Sequence, residues 1–417
     1  KYDPIVISQN NRERTILKID LLNPVSYQGG QPHDQFAWLR ENAPVYWHEE
    51  PGGAGYWAVT RHADVYQVGR DTETFSSEPT IMISDEQLSP QLDNDHKMML
   101  MMDPPDHTVY RKLISREFTQ GPARNYSPRI RELATLIVDN VIERGECDFV
   151  TDIAGEMPSY VIAEMVGLPL EDGRKLYELT ETIHTAPEML PENAIPQAVM
   201  KMFEYGTQVM QEKRAHPTND LASKLLHSEV DGRKMDDIDF LLFFMLLIDA
   251  GGDTTRNLVA GGMLSMLENP DQLNWLTENL PDRIASARDE LLRYTSPVIY
   301  MRRTAKQDTV LRGQQIKAGD KVVMYYGAAN RDAEVFDNPE ALNLGRTPNK
   351  HLAFGGGAHV CLGQWFARLE IDALLMEVLA RMKNMELTGD PQWLASNFIS
   401  GPRTMPVRFT PAARLAG

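Results

Sequence analysis

The chain has 417 residues, 42% of them apolar, which is enough to bury a sizeable core, and a formal net charge of −17. That charge repels nucleic-acid phosphates, and no basic stripe interleaved with aromatics offsets it, so a nucleic-acid partner is excluded. Two cysteines, Cys147 and Cys361, are too few for a disulfide framework, and a reducing, cytoplasmic compartment is expected. The longest apolar run, 240–248, is too short to cross a bilayer, and the first forty residues hold no secretory h-region. With no linker, repeat or low-complexity tract, residues 1–417 are expected to form one large domain.

In chain order, Val45-Tyr46-Trp47 and Tyr56-Trp57-Ala58-Val59 read as strands joined by a glycine-rich turn at 51–55. Residues 76–103 lose all periodicity and read as a long loop, a feature that is often functional. A helix is expected from about Asp106, after Pro104-Pro105, and another over 129–144, where Ile130, Leu133, Ile137, Val138 and Val141 keep helical spacing. Pro187, Pro191 and Pro196 break 184–200 into a helix–loop–helix roof. Residues 236–269 read as one long helix ended by Pro270, followed by a helix over 282–293. Strand signals follow at 309–311 and 321–324, and a last helix is expected over 362–382. The balance is mainly α with a minor β portion.

The most informative segment is Phe354-Gly355-Gly356-Gly357-Ala358-His359-Val360-Cys361-Leu362-Gly363. Three consecutive glycines do not belong inside a helix or strand; they let the backbone turn tightly and approach something flat or bulky. A cysteine at a helix N-terminus has its thiolate stabilised by the dipole and by free N–H groups, which can also tune a bound metal. Taken alone, one such cysteine is more often an inert buried thiol than a ligand. The spacing reverses that weighting: the segment resembles the haem-binding loop of the cytochrome P450 family, Phe-x-x-Gly-x-x-x-Cys-x-Gly. Phe354, Gly357, Cys361 and Gly363 match it without departure, and the match is closest to soluble bacterial members. Glu146-Cys147-Asp148-Phe149-Val150 and Met405-Pro406-Val407 resemble, more weakly, actinobacterial sterol-oxidising members.

The resemblance runs from about Asp34 to the C-terminus and implies the P450 fold enclosing haem b (iron protoporphyrin IX), with Cys361 as the iron's thiolate ligand. Ala250-Gly251-Gly252-Asp253-Thr254-Thr255 is similar to the family's oxygen-binding groove, where two mid-helix glycines cost roughly 1 kcal/mol each. It implies that Ala250 and Gly251 border the haem, that Thr254 meets dioxygen and that Asp253 relays protons. Without the cysteine loop, a packing defect and an Asp253–Arg256 pair would be the preferred reading. His107, Arg111, Arg303, His351 and His359 match positions expected to hold haem propionates. Glu290-Leu291-Leu292-Arg293 matches the family's Glu-x-x-Arg, a buried structural pair, with Arg346 as its third member.

The implied reaction is insertion of one atom of dioxygen into a C–H bond, or epoxidation, of a small lipophilic substrate: a steroid, terpenoid or fatty acid. A haem-binding sensor or a peroxide-dependent peroxygenase is the alternative, and Asp253 with Thr254 speaks against both. Electrons are expected from a ferredoxin and its reductase, docking on a patch to which Lys112, Arg116 and Lys350 contribute, and the chain is expected to be a monomer. Met82, Leu88, Met98 and Met99 of the long loop, Met189 and Met200 of the roof, and Leu246, Ala250, Val298 and Ile299 are expected to line the substrate pocket; methionine suits irregular apolar shapes. Asp249 lies one helical turn before Asp253, so the two carboxylates project within about 40° of each other. It salt-bridges a neighbouring helix, meets a hydroxyl or amine of the substrate, or belongs to a second proton channel.

Overall fold

The computed structural model describes residues 6–7, 16–85, 96–230 and 232–415; Leu88 lies outside them. Helices α1 (His33–Asn42) and α2 (His62–Arg70) flank the first hairpin, and α3 (Asp106–Ser115) and α4 (Gln120–Ile142) follow the long loop. Then come α5 (Glu156–Val166), α6 (Leu170–His184), α7 (Ala194–Ala215) and α8 (Leu221–Leu226). The long α9 (Asp237–Glu268) leads into α10 (Pro270–Glu278), α11 (Leu280–Thr295), the short α12 (Tyr326–Ala329) and α13 (Gln364–Arg381). Mainly helical architecture with a minor sheet portion is what the sequence pattern leads one to expect.

The 32 residues of α9 span about 48 Å. Asp236 caps the helix, its carboxylate accepting from the Asp239 N–H at 2.8 Å, and Asp237 and Asp239 complement the dipole in the first turn. Its apolar run from Phe240 to Ile248 is buried nearly all round because α5, α6, α7, α11 and α13 pack on it. Pro270 opens α10, where its missing N–H is not needed. The roof is α6, a single 3-10 turn at Pro187–Met189, and α7, with Pro196 in the first turn of α7.

Helix boundaries differ from the sequence reading at α4, at α13 and, by two residues at each end, at α11. Helix α4 starts nine residues before 129 and contains Pro128; burial of Ala123, Ile130, Leu133 and Ile137, on a helix packed against α13, offsets the hydrogen bond that proline removes. Helix α13 starts at Gln364 rather than Leu362, so Cys361, Leu362 and Gly363 remain loop in front of its free N–H groups.

The main sheet has the strand order Val45–His48, Tyr56–Val59, Lys321–Tyr325, Tyr300–Ala305, Phe75–Ser76. Only the pairing of Tyr56–Val59 with Lys321–Tyr325 is parallel, and Val322 stands opposite both Trp57 and Arg303. A smaller sheet pairs Pro406–Arg408 with Glu146–Asp148, which puts Val407 opposite Cys147.

Candidate active site

The glycine loop is held by its neighbours. Gly357 has φ +69, and a Cβ there would lie 2.5 Å from the Gly69 carbonyl oxygen on α2. The Cys361 N–H donates to the Phe354 carbonyl at 2.9 Å, and Arg111 of α3 donates to the Val360 carbonyl at 2.6 Å. Burial pushes the Cys361 thiol up, opposed by the N–H groups of Gly363 and Gln364 and by Arg111 and Arg368. The sulfur thus sits at the N-terminus of α13 facing donors that favour its thiolate, which a coordinated metal cation would complete. Cys147 contrasts with it: burial pushes that thiol up to about 12, with Asp152 adding to the shift.

Four of the five expected propionate partners come together. The His107 and His359 rings are 4.0 Å apart, and His359 Nε2 is 3.0 Å from Ser77 Oγ. Burial, then Arg303, His107 and Arg111, push the His359 pKa down to about 2, and burial with Arg111 and Arg303 takes His107 to about 4. Arg303 is buried, and its guanidinium donates to the Arg302 carbonyl at 2.9 Å. Among the described residues neither Arg303 nor Arg111 forms an ion pair, and the buried Nδ1 of His107 has no hydrogen-bond partner. Buried bases without an anion are costly, so this cluster suits carboxylates. His351 stands apart: its charged neighbours are Asp289, Arg368, Arg288 and Glu290, and burial lowers its pKa to about 4.

On α9, Ala250 is exposed and Gly251 and Thr254 are half-buried, while Gly252, Asp253 and Thr255 are buried. A 250–251–254 face that keeps accessible surface in the middle of a buried helix borders open space. Thr254 Oγ1 donates to the Ala250 carbonyl at 3.2 Å. A Cβ on Gly251 would lie 3.3 Å from Ile162, so the glycine also lets α5 approach closely. A sulfur donor under N–H groups, an anion-seeking base cluster and a helix face of small residues together fit a flat, dianionic iron porphyrin.

Asp253 meets α6. Its Oδ2 lies 2.5 Å from His184 Nδ1 and its Oδ1 3.6 Å from Arg256, while His184 Nε2 lies 3.1 Å from Asp249 Oδ1. Asp249 therefore pairs with a neighbouring helix. His184 was not singled out by the sequence; the signal for it was the i, i+4 pair of aspartates on one buried helix face, which calls for a shared cation.

Glu290 is fully buried and accepts from Arg293 on both oxygens at 2.8 Å, from Arg346 at 3.0 Å and from Asn349 at 3.1 Å. The expected pocket residues divide. Met82 and Val298 pack half-buried on one core cluster that holds Ile299, and Met98 on another that holds Met99 and Leu246. Ile299, at 0% exposure, is core, and Met99 and Leu246 are nearly as buried. Met189 and Met200 are 58% and 60% exposed, so their side chains line no enclosed cavity; the short 3-10 turn and the outer face of α7 turn them outward.

The family model described as Cytochrome P450 matches residues 191–394. A steroid C26-monooxygenase of Mycolicibacterium smegmatis is 35% identical over 396 residues, 92% of each chain. A methyl-branched lipid omega-hydroxylase of Mycobacterium tuberculosis is 36% identical over 388 residues, 90% of each chain. A Mycobacterium marinum cytochrome P450 solved in complex with pseudoionone superposes with a TM-score of 0.85 at 35% identity, covering 91% of this chain and 94% of that one. With relatives of this identity along nine-tenths of its length, the chain belongs to the cytochrome P450 family and is a haem-dependent monooxygenase of lipophilic molecules.

Proposed function

We propose that Cys361 ligates the iron of haem b, that His107, Arg111, Arg303 and His359 hold its propionates, and that Asp253 and Thr254 serve oxygen activation. The observation that carries this reading is the buried base cluster in which, among the described residues, neither Arg111 nor Arg303 forms an ion pair, beside a glycine-cradled sulfur. The haem, when bound, supplies the oxidising chemistry that inserts one atom of dioxygen into a C–H bond. The protein's part is positional. Gly363 and Gln364 direct N–H groups at the sulfur, which spreads its negative charge. The hydroxyl of Thr254, now donated to the Ala250 carbonyl, is free to turn toward a ligand at the accessible 250–251–254 face. Asp253, raised above its ordinary value by burial although His184 opposes the shift, is a carboxyl placed beside Thr254 to pass a proton.

The substrate proposed is a sizeable aliphatic molecule of the steroid, terpenoid or branched fatty acid class. The relatives' names support it: C26 of a steroid and the omega carbon of a branched lipid are both chain ends. The half-buried Met82, Met98 and Val298 offer adaptable apolar contacts. The chain is proposed to be one domain and a monomer in the cytoplasm, taking electrons from a ferredoxin and its reductase.

The test is a titration of steroids, terpenoids and branched fatty acids, read by the blue shift of the haem Soret band, followed by turnover. Thr254→Ala is expected to consume reductant at a near-normal rate while product per electron falls about tenfold and hydrogen peroxide rises. Unchanged product per electron would remove Thr254 from oxygen activation, and a peroxide-driven rate insensitive to Thr254→Ala would favour the peroxygenase reading.

A further inference from the structure

Asp253 is 2% exposed and needs a route by which a spent proton is replaced. Two charged groups touch it, on opposite sides. Arg256, 3.6 Å from Oδ1, is pushed down by burial only to about 9 and stays protonated at neutral pH, so it cannot hand on a proton. Beyond Arg256 lie Glu181 at 3.8 Å and the exposed Arg403, paired to Glu181 at 2.8 Å; the Tyr177 ring stacks under Arg256. That side is therefore closed by a fixed cation. On the other side, His184 presents both ring nitrogens to carboxylates, Nδ1 to Asp253 and Nε2 to Asp249. Burial alone would lower the His184 pKa; the two aspartates outweigh it and hold the imidazolium well above its ordinary value. Asp249 is 26% exposed, the most accessible of the three.

We propose that Asp249 and His184 form a relay that re-protonates Asp253, with Asp249 as the entry. The inference rests on the reading that Asp253 serves oxygen activation. When Asp253 has given up a proton, the imidazolium passes its Nδ1 proton to Asp253 Oδ2. The neutral ring keeps its hydrogen on Nε2, so a proton arriving on Asp249 is taken up by the bare Nδ1 when the ring turns toward Asp249, and the imidazolium then turns back to Asp253. One proton enters, one leaves, and no electrons move. The groups facing His184 are Asp249 and Asp253 on α9, with Arg256 behind Asp253, Glu181 one turn earlier on α6, and the Phe398 ring at 5.9 Å. His184 and Asp249 are thus positioning residues that act through Asp253.

The experiment uses the haem-loaded full chain. Asp249→Asn, nearly isosteric, and His184→Gln are each expected to slow product formation about tenfold at saturating substrate, with KM little changed and the solvent deuterium isotope effect enlarged. Asp249→Glu should restore most of the rate. A readout independent of turnover is the imidazole NMR titration in the carbon monoxide complex, with the His184 signal identified by its loss in His184→Gln. It should remain protonated well above the pH at which an ordinary imidazole titrates in the parent chain, and titrate lower in Asp249→Asn. Glu181→Gln should leave rate and isotope effect unchanged. A parent-like rate and isotope effect in Asp249→Asn would overturn the relay, as would slowing by Glu181→Gln instead. If Asp253→Asn itself turns over like the parent chain, it is the oxygen-activation reading that fails. If His184→Gln does not fold, Asp249→Asn and its Glu rescue decide the matter alone.

Discussion

Cys361 and Cys147 differ by their backbones rather than by their side chains. Cys147 lies in a strand paired to Val407, its thiol pushed up to about 12 by burial and the nearby Asp152. Cys361 lies just before α13, where two N–H groups and two arginines oppose the same burial. Cys361→Ser is therefore expected to abolish the long-wavelength absorption of the reduced carbon monoxide complex that marks thiolate ligation, and Cys147→Ser to leave it intact. Loss of that band in Cys147→Ser would reverse the assignment. The glycine loop was legible in the sequence because its spacing is local: ten residues hold the cysteine and the turn, and the helix starts at the next. His184 was not legible, because its partners Asp249 and Asp253 are 65 or more residues away and nothing in its neighbourhood marks it. His351, also expected at a propionate, has other neighbours. It is close to Cys361 in sequence, but the chain carries it toward Asp289 and Arg368.

At the scale of elements, periodicity located α4 and α13, and the proline inside α4 hid where that helix begins. Pro196 sits in the first turn of α7, where no N–H partner exists to be lost, whereas Pro128 sits inside α4 and is tolerated because α4 packs along α13. That same packing imposes a cost on α13. Glu370 is buried, its Oε2 has no hydrogen-bond partner, and burial pushes its pKa up to about 8. The folded-state value thus lies above the unfolded one, near 4.5. Below that value the group is protonated in both states and stability is undiminished. As pH rises toward about 8 the unfolded chain ionises and the folded chain does not, so stability falls. Glu370→Gln should match the parent chain in Tm near pH 5 and exceed it progressively up to about pH 8. A gap independent of pH would show that Glu370 ionises with a partner in the folded state.

For the whole molecule, charge sets the terms on which an electron donor can approach. A chain of net charge −17 repels an acidic iron–sulfur protein at long range, so productive docking needs a local exception. Lys112 and Arg116 are exposed on or beside α3, the helix that Arg111 ties to the cysteine loop, and Lys350 is exposed shortly before that loop. A donor docking on this face, as proposed, would meet the helix that carries Arg111 and the segment that leads into the cysteine loop. With an acidic ferredoxin in low salt, Lys112→Glu should slow reduction of the haem about tenfold, mainly in the second-order rate constant. Raising the ionic strength from about 0.1 M to about 1 M shortens the screening length from about 10 Å to about 3 Å. The parent chain should then slow, and the difference between the two proteins should shrink. The opposite sign is equally readable: a parent rate that rises with salt would mean that the repulsion of the whole chain governs the encounter. In that case the donor docks away from Lys112.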